Sequence, residues 1–270
     1  MDHDGDSRTQ INLQSKRVRL ARDMRRSQIL DAAQALFVAR GWDAVTIADV
    51  LAEAGISKGG FYHHFSAKED LLDALVERFT ERAMDGTAGA REAEGDALAR
   101  FNTFVDASNR WRAEHGPELR FFLDVMLQPG NETQFARINA ASAEVTLPVL
   151  RGLIEEGACS GRFDVPDAGL VAETILALGH GRRAALRAAV KATDAGDLDA
   201  AALTLEARMA GEARLIDRLL GLPPGSVVLS EAGKHREMLA AIAAPCGDRR
   251  PRAPKPTRTP KPGSERRPPC

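Results

Sequence analysis

The chain has 270 residues, 44% of them hydrophobic, a formal net charge of −1, and three cysteines, Cys159, Cys246 and Cys270. That is room for one small and one larger domain with tails, and enough apolar mass to bury a core. The cysteines have no paired spacing, which argues against a disulfide framework or a zinc site. No apolar run is long enough to span a bilayer. The N-terminus has early acids and no apolar stretch, so no secretory signal is visible and a cytoplasmic location is expected. The near-zero charge hides an uneven distribution: residues 1–26 hold seven Lys/Arg against four Asp/Glu, residues 245–270 eight against two, and the stretch between them 22 against 32. An acidic body with basic ends points to a polyanionic partner, the alternative being charged tails that only keep the chain soluble.

In chain order, residues 1–20 are polar and are expected to form a flexible basic arm. From about Asp23 the pattern becomes helical, with Ile29, Leu30, Ala33, Leu36 and Phe37 on one stripe and Gly41 placed to stop it. Thr46 and Asp49 have the spacing of a capping box for a short second helix with Ile47, Val50 and Leu51 on its apolar side. Gly55 marks a turn and Ser57 caps a third helix carrying Phe61, Tyr62, His63, His64 and Phe65. Ser66 and Glu69 suggest a further capping box, opening a fourth helix over about 67–84. Helices are then expected over about 96–113, 118–128, 132–157 (with Pro148 inside), 167–191 and 198–220, and a short amphipathic one around 231–243. Residues 245–270 contain eight prolines among basic residues and read as an extended, unfolded tail. No strand pattern is visible, so the fold class is all-α.

The stretch from Thr46 to Leu72 carries the chemistry. Two short helices joined by a glycine turn make a helix-turn-helix, whose second helix enters the DNA major groove. Such a helix exposes a small or polar N-terminal end, here Ser57, Lys58, Gly59 and Gly60, and anchors itself by apolar residues on the other face, here Ile56, Phe61 and Phe65. Donors to phosphate belong between these faces, at Tyr62, His63 and His64. Neighbouring helical residues point about 100° apart, so His63 and His64 do not form a metal pair, and neither a metal nor any other cofactor is expected.

The run from Gly55 to Phe65, followed by Lys68-Glu69-Asp70-Leu71-Leu72 and preceded by Gly41-Trp42 and Val45-Thr46-Ile47, resembles the signature of the TetR family of regulators, over roughly Arg22 to Leu75. The resemblance implies an N-terminal three-helix helix-turn-helix DNA-binding domain and a C-terminal helical ligand-binding and dimerisation domain. It implies phosphate contacts from Thr46, Tyr62, His64 and Lys68, and groove-facing positions for Lys58, Gly59 and His63, with Lys58 the candidate to read a base. Leu51 and Ala48 depart from the family pattern: the first replaces a small residue at a helix crossing, and the second removes a basic side chain. The implied partners are a palindromic double-stranded DNA operator, a second copy of the chain, and a small apolar or amphipathic effector; no membrane is expected. The implied activity is ligand-responsive transcription regulation, most often repression, and no enzyme activity. Boundaries are placed at 1–20 for the arm, 21–70 for the DNA-binding domain, 71–222 for the effector and dimerisation domain, 223–244 for a short C-terminal helix and 245–270 for the tail.

The aromatic and soft residues between 100 and 136 give the expected effector pocket: Phe101, Phe104, Trp111, His115, Phe121, Phe122 and Met126, with Arg110, Asn102 and Arg120 as polar handles. His180, in Gly179-His180-Gly181, is read as a subunit contact or pocket wall, and Cys159 as a buried or turn thiol. Small residues from Ala172 to Gly211 allow close helix approach, which the resemblance implies is used across a dimer, the alternative being ordinary packing within the chain. The rival readings are a ligand-independent or architectural DNA-binding protein and an enzyme using the helical domain; the sequence contains neither a nucleophile elbow nor a phosphate loop to support the latter.

Overall fold

The computed structural model describes residues 4–231 and 233–243. The Pro/Arg-rich tail expected at 245–270 lies outside the described residues. Those described form twelve helices and no strand.

The N-terminal head consists of α1 (Asp4–Arg40), α2 (Ile47–Ala54) and α3 (Lys58–Tyr62). The stripe of α1 faces inward as its spacing requires: Ile29, Leu30, Ala33, Leu36 and Phe37 are all buried. Gly41, at φ +80°, ends the helix with its N–H on the Phe37 carbonyl at 2.8 Å, and Trp42 and Val45 then turn into the same core. One expectation changes here. The helix begins at Asp4, where a flexible arm to residue 20 was anticipated; between Ser7 and Arg40 no glycine or proline interrupts it. The next helix, α4 (Lys68–Gly86), starts one residue later than its expected capping box. Ala67 is the cap residue, and Asp70 rather than Glu69 closes the turn by accepting from the backbone N–H groups of Ser66 (2.7 Å) and Ala67 (3.2 Å).

The body begins on α4 and adds α5 (Ala88–Arg91), α6 (Ala97–Glu114), α7 (Gly116–Leu127) and α8 (Glu132–Cys159), then α9 (Ala168–His180), α10 (Arg183–Asp194), α11 (Leu198–Leu219) and α12 (Lys234–Ala243). Asp96, Asp167 and Asp197 cap α6, α9 and α11 through their side chains. Gly157 lets α8 lie against the Phe163 ring; a Cβ there would sit 2.0 Å from it. The single helix expected over 167–191 is two: Gly181 and Arg182 form a turn, and Arg182 reaches Glu212 of α11 instead of continuing along a helix face. Cys159 is exposed at the end of α8, not buried.

The short amphipathic helix expected around 231–243 is α12, and an anchored loop precedes it. Buried Asp217 accepts from the N–H groups of Gly225 (2.7 Å) and Val227 (2.8 Å). Asn102 brackets the same loop, donating to the Ser226 carbonyl and accepting from Val228 N–H, and Asn109 donates to the Leu229 carbonyl. These bonds direct α12 across α6, α7 and α11, where Leu239 and Ile242 are buried. No helix among the described residues is long and apolar enough to cross a membrane.

Candidate functional site

The helix-turn-helix is built by local bonds. Thr46 and Asp49 form the expected capping box: Asp49 N–H donates to Thr46 Oγ1 (3.2 Å), and the Asp49 carboxylate accepts from Thr46 N–H (2.8 Å) and its hydroxyl (2.6 Å). Gly55 adopts φ +63°, a left-handed conformation that a Cβ disfavours. Ser57 Oγ accepts from Gly60 N–H at 3.2 Å and starts α3. This recognition helix is shorter than the nine-residue segment the sequence suggests, with His63 and His64 in the turn that closes it. Phe61 and Phe65 are buried, while Ser57, Lys58, Gly59, Tyr62 and His63 are exposed and His64 is half-buried. The short helix therefore stands on two rings and presents its other face outward.

Cations gather beside that face. The Arg26 guanidinium lies 5.4 Å from the Phe65 ring centre, and the Lys58 ammonium 5.9 Å from that of Tyr62. The His64 pKa is lowered, first by burial and then by the charges of His63, Arg22, Arg26 and Arg25, so arginines of α1 converge on the recognition helix. Lys16, Arg17 and Arg19 fall outside the described side chains. Lys68 is half-buried and engaged within the protein. Its ammonium donates to the Trp42 carbonyl at 2.5 Å and sits 4.1 Å from the indole centre, with burial lowering its pKa. In the free protein it clamps the α1–α2 connection onto the start of α4.

The body contains a cavity of about 340 Å³ between α4, α6–α9, α11 and α12. Of the seven residues expected to line it, Phe122 and Met126 do. The other five are elsewhere, because the aromatic stripe of α6 and α7 is taken up by packing. Phe101 is buried among Leu150, Ile154 and Ile216, and Phe104 packs with Met84 and Leu153. Trp111 lies between Phe79 and His115, whose ring stacks on the indole at 3.8 Å. Phe121 stacks on Phe37 of the head at 5.6 Å. Among the expected polar handles, Arg110 lines the cavity, paired with Asp106; Asn102 holds the loop, and Arg120 ties α7 to Asp194 of α10 and also pairs with Asp124 on its own helix. The His180 side chain lies outside those described.

Sequence reasoning missed Arg112, Arg182 and His235, which line the cavity. Arg182 and Arg208 share buried Glu212. Arg112 has one hydrogen bond among the described residues, a long one of 3.4 Å to Asn109 Oδ1, and its pKa is pushed down to about 10 by burial and by the Arg182 charge. His235 is buried, its Nδ1 lacks a partner, and its pKa is lowered by burial against an opposing pull from Glu206. His235 sits on a helix that reads as an appendage, and Arg112 follows a tryptophan on an otherwise ordinary helix; neither carries a local signal.

Head and cavity share parts. Val76, Phe79, Thr80 and Met84 of α4 line the cavity, while Arg78 of α4 bonds Asp31 and Gln34 of α1. Phe122 faces the cavity, and its neighbour Phe121 belongs to the same core as the head residues. A profile described as "Bacterial regulatory proteins, tetR family" matches residues 29–75, which span most of this head. The HTH-type transcriptional regulator TtgR of Pseudomonas putida is 30% identical over 154 residues, 53% of this chain and 72% of its own length. The chain belongs to the TetR family. The HTH-type transcriptional repressor KstR2 of Mycobacterium tuberculosis is 28% identical over 144 residues, 52% of this chain and 72% of its own. The crystal structure of RolR with its ligand resorcinol superposes with a TM-score of 0.50 at 23% identity, covering 85% of this chain and 98% of RolR, a likeness of fold. This TetR-family protein is accordingly a helix-turn-helix transcriptional regulator.

Proposed function

We propose that this regulator is a homodimeric repressor that holds a palindromic operator and is released when a small apolar or amphipathic molecule enters the cavity. The observation that carries the reading is the outward face of α3, flanked by Arg22, Arg25 and Arg26, on a head whose core runs without a break into the cavity wall. Residues 21–70 serve as the DNA-binding domain and 71–222 as the effector and dimerisation domain, to which α12 contributes a wall. Ser57, Lys58, Gly59 and His63 face the groove, and Tyr62, His64 and Thr46 take phosphates, Thr46 by turning its hydroxyl away from Asp49. Lys68 adds a further phosphate contact from an ammonium that also holds the head in shape. Exposed leucines on α9 and α11 supply the dimer surface, which must space two heads about 34–36 Å apart.

Release follows if the effector favours a different setting of α4. That helix both lines the cavity and bonds α1, so a ligand with higher affinity for a misspaced dimer shifts the population off DNA. RolR, whose fold is similar, binds resorcinol, which supports assigning the cavity to a small molecule. The test is recovery of genomic fragments by the purified full chain. An inverted repeat shared among them, bound by two chains per site, is the expected result; fragments without a common sequence, or one chain per site, would overturn the proposal.

A further inference from the structure

We propose that the effector is a compact organic carboxylate whose charge is met by Arg112. The inference rests on the reading of the cavity as the effector chamber and narrows it to one chemical class. The other cavity-lining guanidiniums have acids of their own: Arg110 pairs with Asp106, and Arg182 with Glu212, which Arg208 also engages. Arg112 pairs with no carboxylate among the described residues, and the charge that acts on it is the like charge of Arg182. Glu237 on α12 bonds Lys234 instead. Arg182 and Arg208 share the single acid Glu212, the Arg182 charge acts on Arg112, and the remaining lining acid, Glu231, pairs with none of these arginines among the described residues. Burial lowers the Arg112 pKa only to about 10, so the group stays protonated at neutral pH.

A half-buried cation without a counter-ion is unfavourable, so removing the charge is not expected to weaken the fold. A bound carboxylate supplies the counter-ion and matches the planar guanidinium fork with two parallel hydrogen bonds. The Nδ1 of His235 on α12, unpartnered among the described residues, gives the ligand a second polar point in the lining. The remaining wall is largely apolar, through Val76, Phe79, Leu119, Phe122, Met126 and Met238. A volume of about 340 Å³ is near the lower end of ligand pockets, roughly 300–1,000 Å³, which fits a short aliphatic or aromatic acid.

Calorimetric titration of the full-length regulator with 1-naphthoate and octanoate, each against its uncharged amide, tests this. The acids are expected to bind at least roughly tenfold tighter than the amides. Arg112→Met is expected to close that gap while leaving amide binding unchanged, and to melt no lower than the parent without ligand. Amides that bind as well as the acids overturn the carboxylate but leave the chamber standing. Failure of all four compounds near about 1 mM overturns the chamber reading as well. A variant melting well below the parent makes Arg112 a structural support and overturns its assignment. The acid–amide comparison on the parent protein decides the ligand class even where the variant does not fold.

Discussion

A methyl group added at Gly59 meets nothing within 4 Å in the free protein, yet the position lies at the exposed start of the recognition helix. Gly59→Ala is therefore expected to stabilise the head by up to about 1 kcal/mol through helix propensity. In the proposed operator complex the same methyl would stand where a base edge approaches, and loss of one close base contact is worth about 1–3 kcal/mol. Melting temperature and operator affinity should move in opposite directions; affinity unchanged or improved removes Gly59 from the groove. His64 gives a second opposition. Burial and the charges of His63, Arg22, Arg26 and Arg25 hold its pKa down in the free protein. A phosphate beside it reverses the electrostatic part, so the bound pKa exceeds the free one and binding takes up a proton. Operator affinity should rise as the pH falls from about 8 to 5.5, and His64→Gln should flatten that slope at constant salt; a slope indifferent to the substitution means His64 touches no phosphate. For folding alone the sign is opposite: a depressed histidine pKa stabilises above the unfolded value of about 6.5, and that contribution is lost as the pH falls through the folded value.

Among the elements, α12 depends most on distant residues for its position. Asp217→Ala leaves the N–H of buried Val227 without an acceptor, which costs about 1–3 kcal/mol. The loop that directs α12 then loses one of its fastenings. Amide exchange over 234–243 should accelerate, while the buried amides of α1 in the head keep their protection; equal loss in both places would show one cooperative unit instead of a separable wall. The same helix shows why the body was less legible than the head. The head is written in contacts three or four residues apart, such as Thr46–Asp49 and Ser57–Gly60, so spacing alone reveals them. The cavity is written in contacts that span the body, from Val76 to Met238. An aromatic stripe marks burial without saying whether the buried face meets a neighbour or a space, and Phe101 and Phe104 meet neighbours. Asn102 looks like a polar handle for the same reason: nothing local tells that Val228, 126 residues away, is its partner. The Gly181–Arg182 turn is masked by an Ala- and Leu-rich context that favours helix on both sides.

At the scale of the molecule, the proposed homodimer needs a surface that joins two chains at groove spacing, and we place it at the exposed leucines. Leu170 on α9 is 61% exposed, and Leu203 and Leu215 on α11 are 65% and 46% exposed, apolar side chains left open to a partner. On α11 the exposed positions Leu203, Ala207, Ala210 and Arg214 recur at steps of three and four, which places them on one stripe. Alanines in that stripe let a second helix approach closely, the leucines supply apolar area, and arginine marks its edge. The opposite side of α11, with Ala202, Leu205 and Ile216, is already buried within the chain. Leu170→Glu with Leu203→Glu should therefore split the dimer without unfolding the monomer, since neither side chain supports its own core. Sedimentation would report a single chain with unchanged helical content. Operator affinity should fall by about 10³ or more, toward that for random DNA, because one head reads half a site. A double variant that still sediments as a dimer would place the contact elsewhere and, with it, the geometry by which the cavity controls the spacing of the heads.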